Sequence, residues 1–174
     1  MEKVLSFVKG SALFDLIKRN GKSPAQCNFK MGVSYMMKEK NTHRSYEIFS
    51  QLVSGKKGLI ITRVYPPRLH LQSPTSSEVF WLTSIDKDNT IRPADLDKLG
   101  FTITSFIIKQ KEAVVLLDGI EYLILQNGFE KILNFLSFIT DKISKNNAIL
   151  LIPAYPKALD EKEMMLLERI LEPC

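Results

Sequence analysis

Apolar segments alternate with mixed segments along this chain, and the pattern predicts strands separated by helices. The clearest strand is the uninterrupted apolar run over residues 113–117, which ends on Asp118. A run of this kind is typical of a strand buried on both faces, as in a parallel sheet covered by helices. Further strands are predicted at residues 33–37, 59–63, 79–83 and 148–152.

Helical periodicity fills the intervals between these strands. Helices are predicted over residues 42–53, 93–107, 127–143 and 160–171. Asp95 stands at the start of the second helix, where a negative charge is favourable. Asp160 with Glu163, and Asn127 with Glu130, have the spacing of capping boxes. Strands that alternate with helices predict an α/β fold, a three-layer sandwich with a mostly parallel central sheet.

The chain divides into two parts. Residues 1–28 are predicted to be an N-terminal helical extension and linker, because an apolar stripe over residues 2–20 is followed by Gly21 and Pro24. Residues 29–174 are predicted to be the α/β domain. The extension is too short to fold alone, so we expect it to pack on the domain or on a second copy of the chain.

Composition narrows the class of protein. With 174 residues, 45% apolar and 25% charged, the chain is typical of a globular domain. No apolar run approaches the roughly 20 residues that span a bilayer, and the first residues lack a signal-peptide pattern. We therefore expect a cytoplasmic protein that does not enter membranes. In a reducing compartment Cys27 and Cys174 are not expected to form a disulfide.

The positive charge is concentrated in the first third of the chain. Residues 1–57 contain 11 Lys or Arg against 4 Asp or Glu, a net charge of +7, whereas residues 58–174 contain 13 against 15, a net of −2. This excess indicates either a solvated basic face or a docking surface for an anionic partner such as nucleic acid. Nucleic-acid binding predicts a gel shift that weakens steeply with salt.

Polar residues follow several of the predicted strands. Because the carboxyl ends of parallel strands meet at one edge of a sheet, these residues should form a rim where α/β folds bind ligands. Asp118 is interpreted either as an acid that holds Mg²⁺ or orients a water, or as an acceptor of backbone N–H groups in the turn with Gly119. The candidate ligand-binding rim consists of Arg63, Thr83, Asp118, Glu121 and Tyr155.

Other motifs are absent or unconvincing. Gly21-Lys22-Ser23 resembles the end of a phosphate-binding loop, but position 16 is Leu16 where that loop needs glycine. His43 and His70 lack the spacing of metal ligands, and no nucleophile–base arrangement is apparent. We therefore assign no catalytic residue, metal or cofactor.

Several motifs together resemble the archaeal domain-of-unknown-function family 835 (DUF835). The resemblance runs from about residue 31 to residue 172 and is carried by Gly58-Leu59-Ile60-Ile61-Thr62-Arg63 with Pro66, Trp81-Leu82-Thr83, Val114 to Tyr122, Asn127-Gly128-Phe129-Glu130 and Leu166-Leu167-Glu168-Arg169. It implies a degenerate relative of the RecA/KaiC-type ATPase core that lacks the phosphate-binding loop, often found beside sensor or signalling domains. No enzymatic activity follows from it.

The favoured hypothesis is a non-catalytic regulatory module that binds a protein partner or itself, through the N-terminal helix and the helix that begins at Phe129. One alternative is residual nucleotide binding, with Asp118 as the metal-linked acid and Arg63 on a phosphate. The other is nucleic-acid binding through the basic first third.

Overall fold

Seven parallel strands form the central sheet in a computed structural model, which describes residues 27–69 and 77–174. The predicted helix over residues 2–20 and most of the predicted linker lie outside the described residues, as does His70. The strands are β1 (Val33–Lys38), β2 (Gly58–Thr62), β3 (Glu78–Leu82), β4 (Thr90–Ile91), β5 (Val114–Asp118), β6 (Ile149–Ala154) and β7 (Glu172–Pro173). Their order is β4-β3-β2-β5-β6-β1-β7, and every described pairing is parallel.

Helices cover both faces of this sheet. They are α1 (His43–Val53), α2 (Leu96–Lys109), α3 (Ile120–Asn127), α4 (Phe129–Lys145) and α5 (Glu161–Glu168), with 3-10 turns at Pro66–Arg68 and Pro156–Ala158. On one face α1 packs through Phe49 and Val53 on strand side chains such as Ile60 and Leu116. The other helices pack on the opposite face around Val115. The predicted α/β sandwich is confirmed, and its sheet is parallel throughout the described strands.

Two of the predicted helix starts are confirmed. The Asp95 carboxylate accepts a hydrogen bond from the Lys98 N–H at 2.9 Å, at the first turn of α2. Asp160 and Glu163 form the predicted capping box of α5, since each side chain accepts from the other residue's N–H.

The predicted capping box at Asn127 is wrong. Asn127 is the last residue of α3, and its amide donates to the carbonyl oxygens of Pro93 and Leu123, both at 2.9 Å. Gly128, with φ of +86°, then turns the chain into α4. Most apolar side chains of α4 are buried or half-buried, because the helix contacts α2, α3, α5 and the sheet.

Trp81 is half-buried on β3, although it lies in the middle of an apolar segment of the sequence. Its indole N–H donates to the Arg63 carbonyl oxygen at 3.1 Å, and its ring packs on Tyr65 with 5.0 Å between centroids. Among the described strands, the two-residue β4 alone lies beyond β3 at this end of the sheet.

Cys27 and Cys174 form a disulfide, which corrects the expectation that they stay unpaired. Their Cα atoms are 5.8 Å apart despite a sequence separation of 147. The fold brings them together because β7 pairs with β1 and the segment before β1 returns to the same place, where Phe29 packs edge-on against Tyr35. No helix in the described ranges is long and apolar enough to cross a membrane.

Candidate functional site

The strand ends predicted to carry a site lie at one edge of the sheet. Thr62, at the end of β2, is paired with Asp118 of β5 on one side and Trp81 of β3 on the other. Because β6 is parallel to β5, Tyr155 follows at the same edge. The five predicted rim residues therefore follow strands whose carboxyl ends share this border, but their side chains make separate contacts.

Asp118 is buried, with 7% of its surface exposed, and its carboxylate is bound by two hydroxyl groups. The Tyr46 hydroxyl lies 2.8 Å from Asp118 Oδ2, and the Thr62 hydroxyl lies 3.1 Å from the same oxygen. Thr62 Oγ1 in turn accepts the Val64 N–H at 3.0 Å, which leaves its proton for Asp118. The predicted acceptance of backbone N–H groups beside Gly119 is replaced by this side-chain network.

The network sits in a poorly solvated position. Burial raises the pKa of the Asp118 carboxyl; the hydrogen bonds from Tyr46 and Thr62 oppose this rise, and the nearby charge of Glu121 adds to it. Burial and the Asp118 charge likewise raise the pKa of Tyr46 far above its ordinary value. The phenol is therefore a proton donor to Asp118 at any physiological pH.

Arg63 makes no ion pair with any carboxylate of the described residues. Its guanidinium donates to the Leu82 carbonyl oxygen at 2.7 Å and lies over the Tyr122 ring, 3.8 Å from the centroid. The aliphatic stem crosses Gly119: a Cβ atom at that position would lie 2.8 Å from Arg63 Cγ. Gly119 also has φ of +126°, which side chains rarely adopt.

Thr83 makes its hydrogen bonds within the segment that follows β3. It is buried, its N–H donates to the Ile91 carbonyl oxygen at 3.0 Å, and its hydroxyl accepts the Ile85 N–H at 3.2 Å. Thr83 therefore fixes the turn after β3.

The Glu121 side chain contacts the backbone of Tyr155. The Glu121 carboxylate, in the first turn of α3, accepts the Tyr155 N–H at 2.7 Å. Pairing of β5 with β6 is described only as far as Leu116 and Leu151, and Pro153, which lacks an N–H, follows. Glu121 thus holds the end of β6 where these strands are no longer paired.

Glu39, which the sequence prediction missed, completes this edge of the sheet. It follows β1, and its carboxylate accepts hydrogen bonds from both the hydroxyl and the N–H of Ser45 in the first turn of α1. Burial raises the pKa of Glu39, against the opposing effect of these bonds and of Arg44. The sequence does indicate Glu39 as a candidate, because it is an acid that lies between a predicted strand and a predicted helix.

Tyr46 and Thr62 were missed for a different reason. Both fall on predicted elements where an apolar role is the simplest interpretation, and only the packing of α1 across β2 and β5 brings their hydroxyl groups to Asp118. In the described part of the chain, no three His, Cys, Asp or Glu side chains come together as metal ligands would.

Comparisons with known proteins agree with this architecture. One solved structure, a structural study of Project ID PH0250 from Pyrococcus horikoshii OT3, superposes with a TM-score of 0.57. The match covers 82% of this chain and 80% of the other, at 14% sequence identity, and so concerns the fold alone. No curated protein matches the chain significantly.

A family model also matches. The model of a protein of unknown function, DUF835, aligns with residues 38–171, which include β2 to β6 and each predicted rim residue. By this match the chain belongs to the DUF835 family.

Proposed function

We propose that this protein is a non-catalytic regulatory module that acts by binding a protein partner, on an α/β scaffold like that of an ATPase core. The observation that carries the proposal is the engagement of Asp118 by Tyr46 and Thr62. This acid is buried and its Oδ2 is bound to two hydroxyl groups of the chain itself, which favours a role in packing over a role as a catalytic acid.

The start of α1 supports the same conclusion. In phosphate-binding α/β proteins, the N–H groups at such a helix start receive the phosphate. Here the Glu39 carboxylate accepts the Ser45 N–H at 3.3 Å. The connection from β1 to α1, residues 39–42, contains no glycine. An anionic ligand entering this position would have to displace the Glu39 side chain from the helix start.

Nucleotide binding at the rim would also require Arg63 to leave its partners. Its guanidinium is held by the Leu82 carbonyl oxygen and the Tyr122 ring, and its stem is packed on Gly119. Arg63 therefore stabilises the loops after β2, β3 and β5 by bridging them.

The outer faces of α2 and α4 offer a surface for the partner. Phe101 and Ile108, seven residues apart on α2, are 73% and 66% exposed, and Phe138 on α4 is 48% exposed. A Cβ atom at Gly100 would lie 3.4 Å from the Phe135 ring, so the two helices pack closely beside these residues. We propose that Phe101, Ile108 and Phe138, the outer apolar surface, bind a second copy of the chain.

Sedimentation at micromolar concentrations tests this proposal. We expect the wild-type protein to self-associate and Phe101→Glu to shift it toward monomer, because a buried unpaired charge opposes association. Met165→Glu is the matched control: Met165 is 55% exposed, on α5. A wild-type protein that stays monomeric throughout, or equal effects of the two variants, would rule out this surface.

A further inference from the structure

The Cys27–Cys174 disulfide lies beside a cation. Arg44, in the first turn of α1, places Nη2 3.5 Å from Cys27 Sγ and 3.7 Å from Cys174 Sγ. Both cysteines are half-buried and line an open cleft of about 430 Å³, together with Lys30, Lys38 and other residues of this edge. Among the described residues, the disulfide therefore borders an open cleft and has a guanidinium in contact with both sulfurs.

This environment differs from that of an inert structural disulfide. Reactive cysteines lie in partly exposed, electropositive positions, because a nearby cation stabilises the thiolate. In thiol–disulfide exchange, the sulfur that leaves as a better stabilised thiolate leaves faster. Arg44 contacts both sulfurs, so it assists whichever of them is the leaving group.

We propose that Cys27–Cys174 is a redox-active disulfide, which exchanges with a dithiol reductant and thereby joins or separates the two ends of the domain. This inference does not depend on the proposed self-association.

The exchange is balanced as two successive displacements. A thiolate of the dithiol attacks one sulfur, the Cys27–Cys174 bond breaks, and the second cysteine leaves as a thiolate beside Arg44. The mixed disulfide joins one reductant sulfur to the first cysteine. The reductant's second thiolate then attacks that reductant sulfur, and the first cysteine leaves as a thiolate. The protein gains two electrons and two protons, and the dithiol becomes a disulfide.

The structural consequence falls on β7. This two-residue strand lies at the border of the sheet, with Glu172 and Pro173 exposed. Its attachment to β1 includes the Cys174 N–H, which donates to Met36 O at 2.8 Å, and the Cys174 carbonyl oxygen, which accepts the Lys38 N–H at 3.2 Å. Reduction removes the disulfide link between β7 and Cys27, so β7 is then held to β1 by hydrogen bonds alone.

The test is reduction of the full-length folded protein by dithiothreitol, without denaturant, followed by acid quenching, alkylation and mass measurement. We expect complete reduction of the wild type, and reduction of Arg44→Gln about tenfold slower, as loss of a stabilising cation predicts. Lys40→Gln removes a positive charge from the same β1–α1 connection, and Lys40 has no described contact with the sulfurs. Lys40→Gln should react like the wild type, and Arg44→Lys should recover part of the rate.

Hydrogen exchange gives a second readout. After reduction, the amides of Glu172, Cys174 and Lys38 should exchange faster, while those of α4 should be unchanged. A disulfide that dithiothreitol reduces only after unfolding would overturn the proposal, and so would equal rates for the wild type and Arg44→Gln. Unchanged exchange at β7 after full reduction would overturn the proposed separation of the chain ends.

Discussion

The Tyr46 hydroxyl lies 2.8 Å from Asp118 Oδ2 and 2.8 Å from Thr62 Oγ1. Tyr46 comes from the helix on one face of the sheet, whereas Thr62 and Asp118 end two neighbouring strands. The contact ties α1 to the sheet edge where α/β proteins bind ligands. It gives Asp118 a role in the packing of α1 on the sheet.

Loss of the Tyr46 hydroxyl should destabilise the fold. Tyr46→Phe keeps the ring but leaves Asp118 with only the Thr62 hydroxyl, so we expect the free energy of unfolding to fall by about 1–3 kcal/mol. Urea unfolding, monitored by circular dichroism, measures this loss of free energy. Tyr122→Phe is the control: it keeps the ring beneath Arg63, and we expect a change within about 0.5 kcal/mol. Equal losses in both variants would contradict the assigned role of Tyr46.

The raised pKa of Asp118 predicts a pH dependence of stability. The folded state favours the protonated form of Asp118. The stability gained from this preference is complete below the pKa of Asp118 in the unfolded chain, about 3.9. It is lost as pH rises through the higher folded pKa. Asp118→Asn cannot ionise, so its stability relative to the wild type should increase from acid to neutral pH. Urea unfolding across this range checks it, and parallel curves for the two proteins would refute it.

Gly119 is predicted to tolerate no side chain. Gly119→Ala imposes a strained φ and a contact with Arg63 Cγ, so we expect a loss of about 1–3 kcal/mol in the free energy of unfolding. Trp81 fluorescence should also change, because its indole donates to the Arg63 carbonyl oxygen. Gly55→Ala, with φ of +79° and open space, isolates the backbone cost. A loss no greater than that of Gly55→Ala would show that the Arg63 contact is unimportant.

The disulfide should contribute strongly to stability. It closes a loop with a sequence separation of 147, for which the chain-entropy model gives about 5 kcal/mol. The double variant Cys27→Ser, Cys174→Ser should therefore melt well below the oxidised wild type and close to the reduced wild type. Calorimetry with and without reductant measures both. Identical melting temperatures of the variant and the oxidised protein would show that the bond constrains nothing.

The fold was predictable because its signals are local. Long apolar runs such as residues 113–117 specify buried strands, and the parallel sheet follows from strands that alternate with helices. The wrong capping box at Asn127 shows the limit of this reasoning. The same residue spacing fits a helix start and a helix end followed by glycine, and the amide's bond to Pro93, 34 residues away, decides between them.

The site was predictable only in part. The positions of Arg63, Thr83 and Asp118 at strand ends follow from the pattern, but their partners do not. Arg63 bonds a carbonyl oxygen on β3, and Asp118 bonds Tyr46, 72 residues earlier in the sequence. The disulfide was missed because a reducing compartment was expected. In addition, the two-residue strand β7, which carries Cys174 to β1, is too short to have a periodicity.

The central claim is that the chain's own side chains close the carboxyl edge of the sheet to nucleotides. Titration with ATP–Mg²⁺ to millimolar concentrations tests it directly, with the fluorescence of Trp81 and the melting temperature as readouts. The sole tryptophan is paired with Thr62, whose strand β2 lies between it and Asp118 on β5. We predict no saturable change in either signal. A saturable change that Asp118→Asn or Arg63→Ala abolishes would contradict the claim.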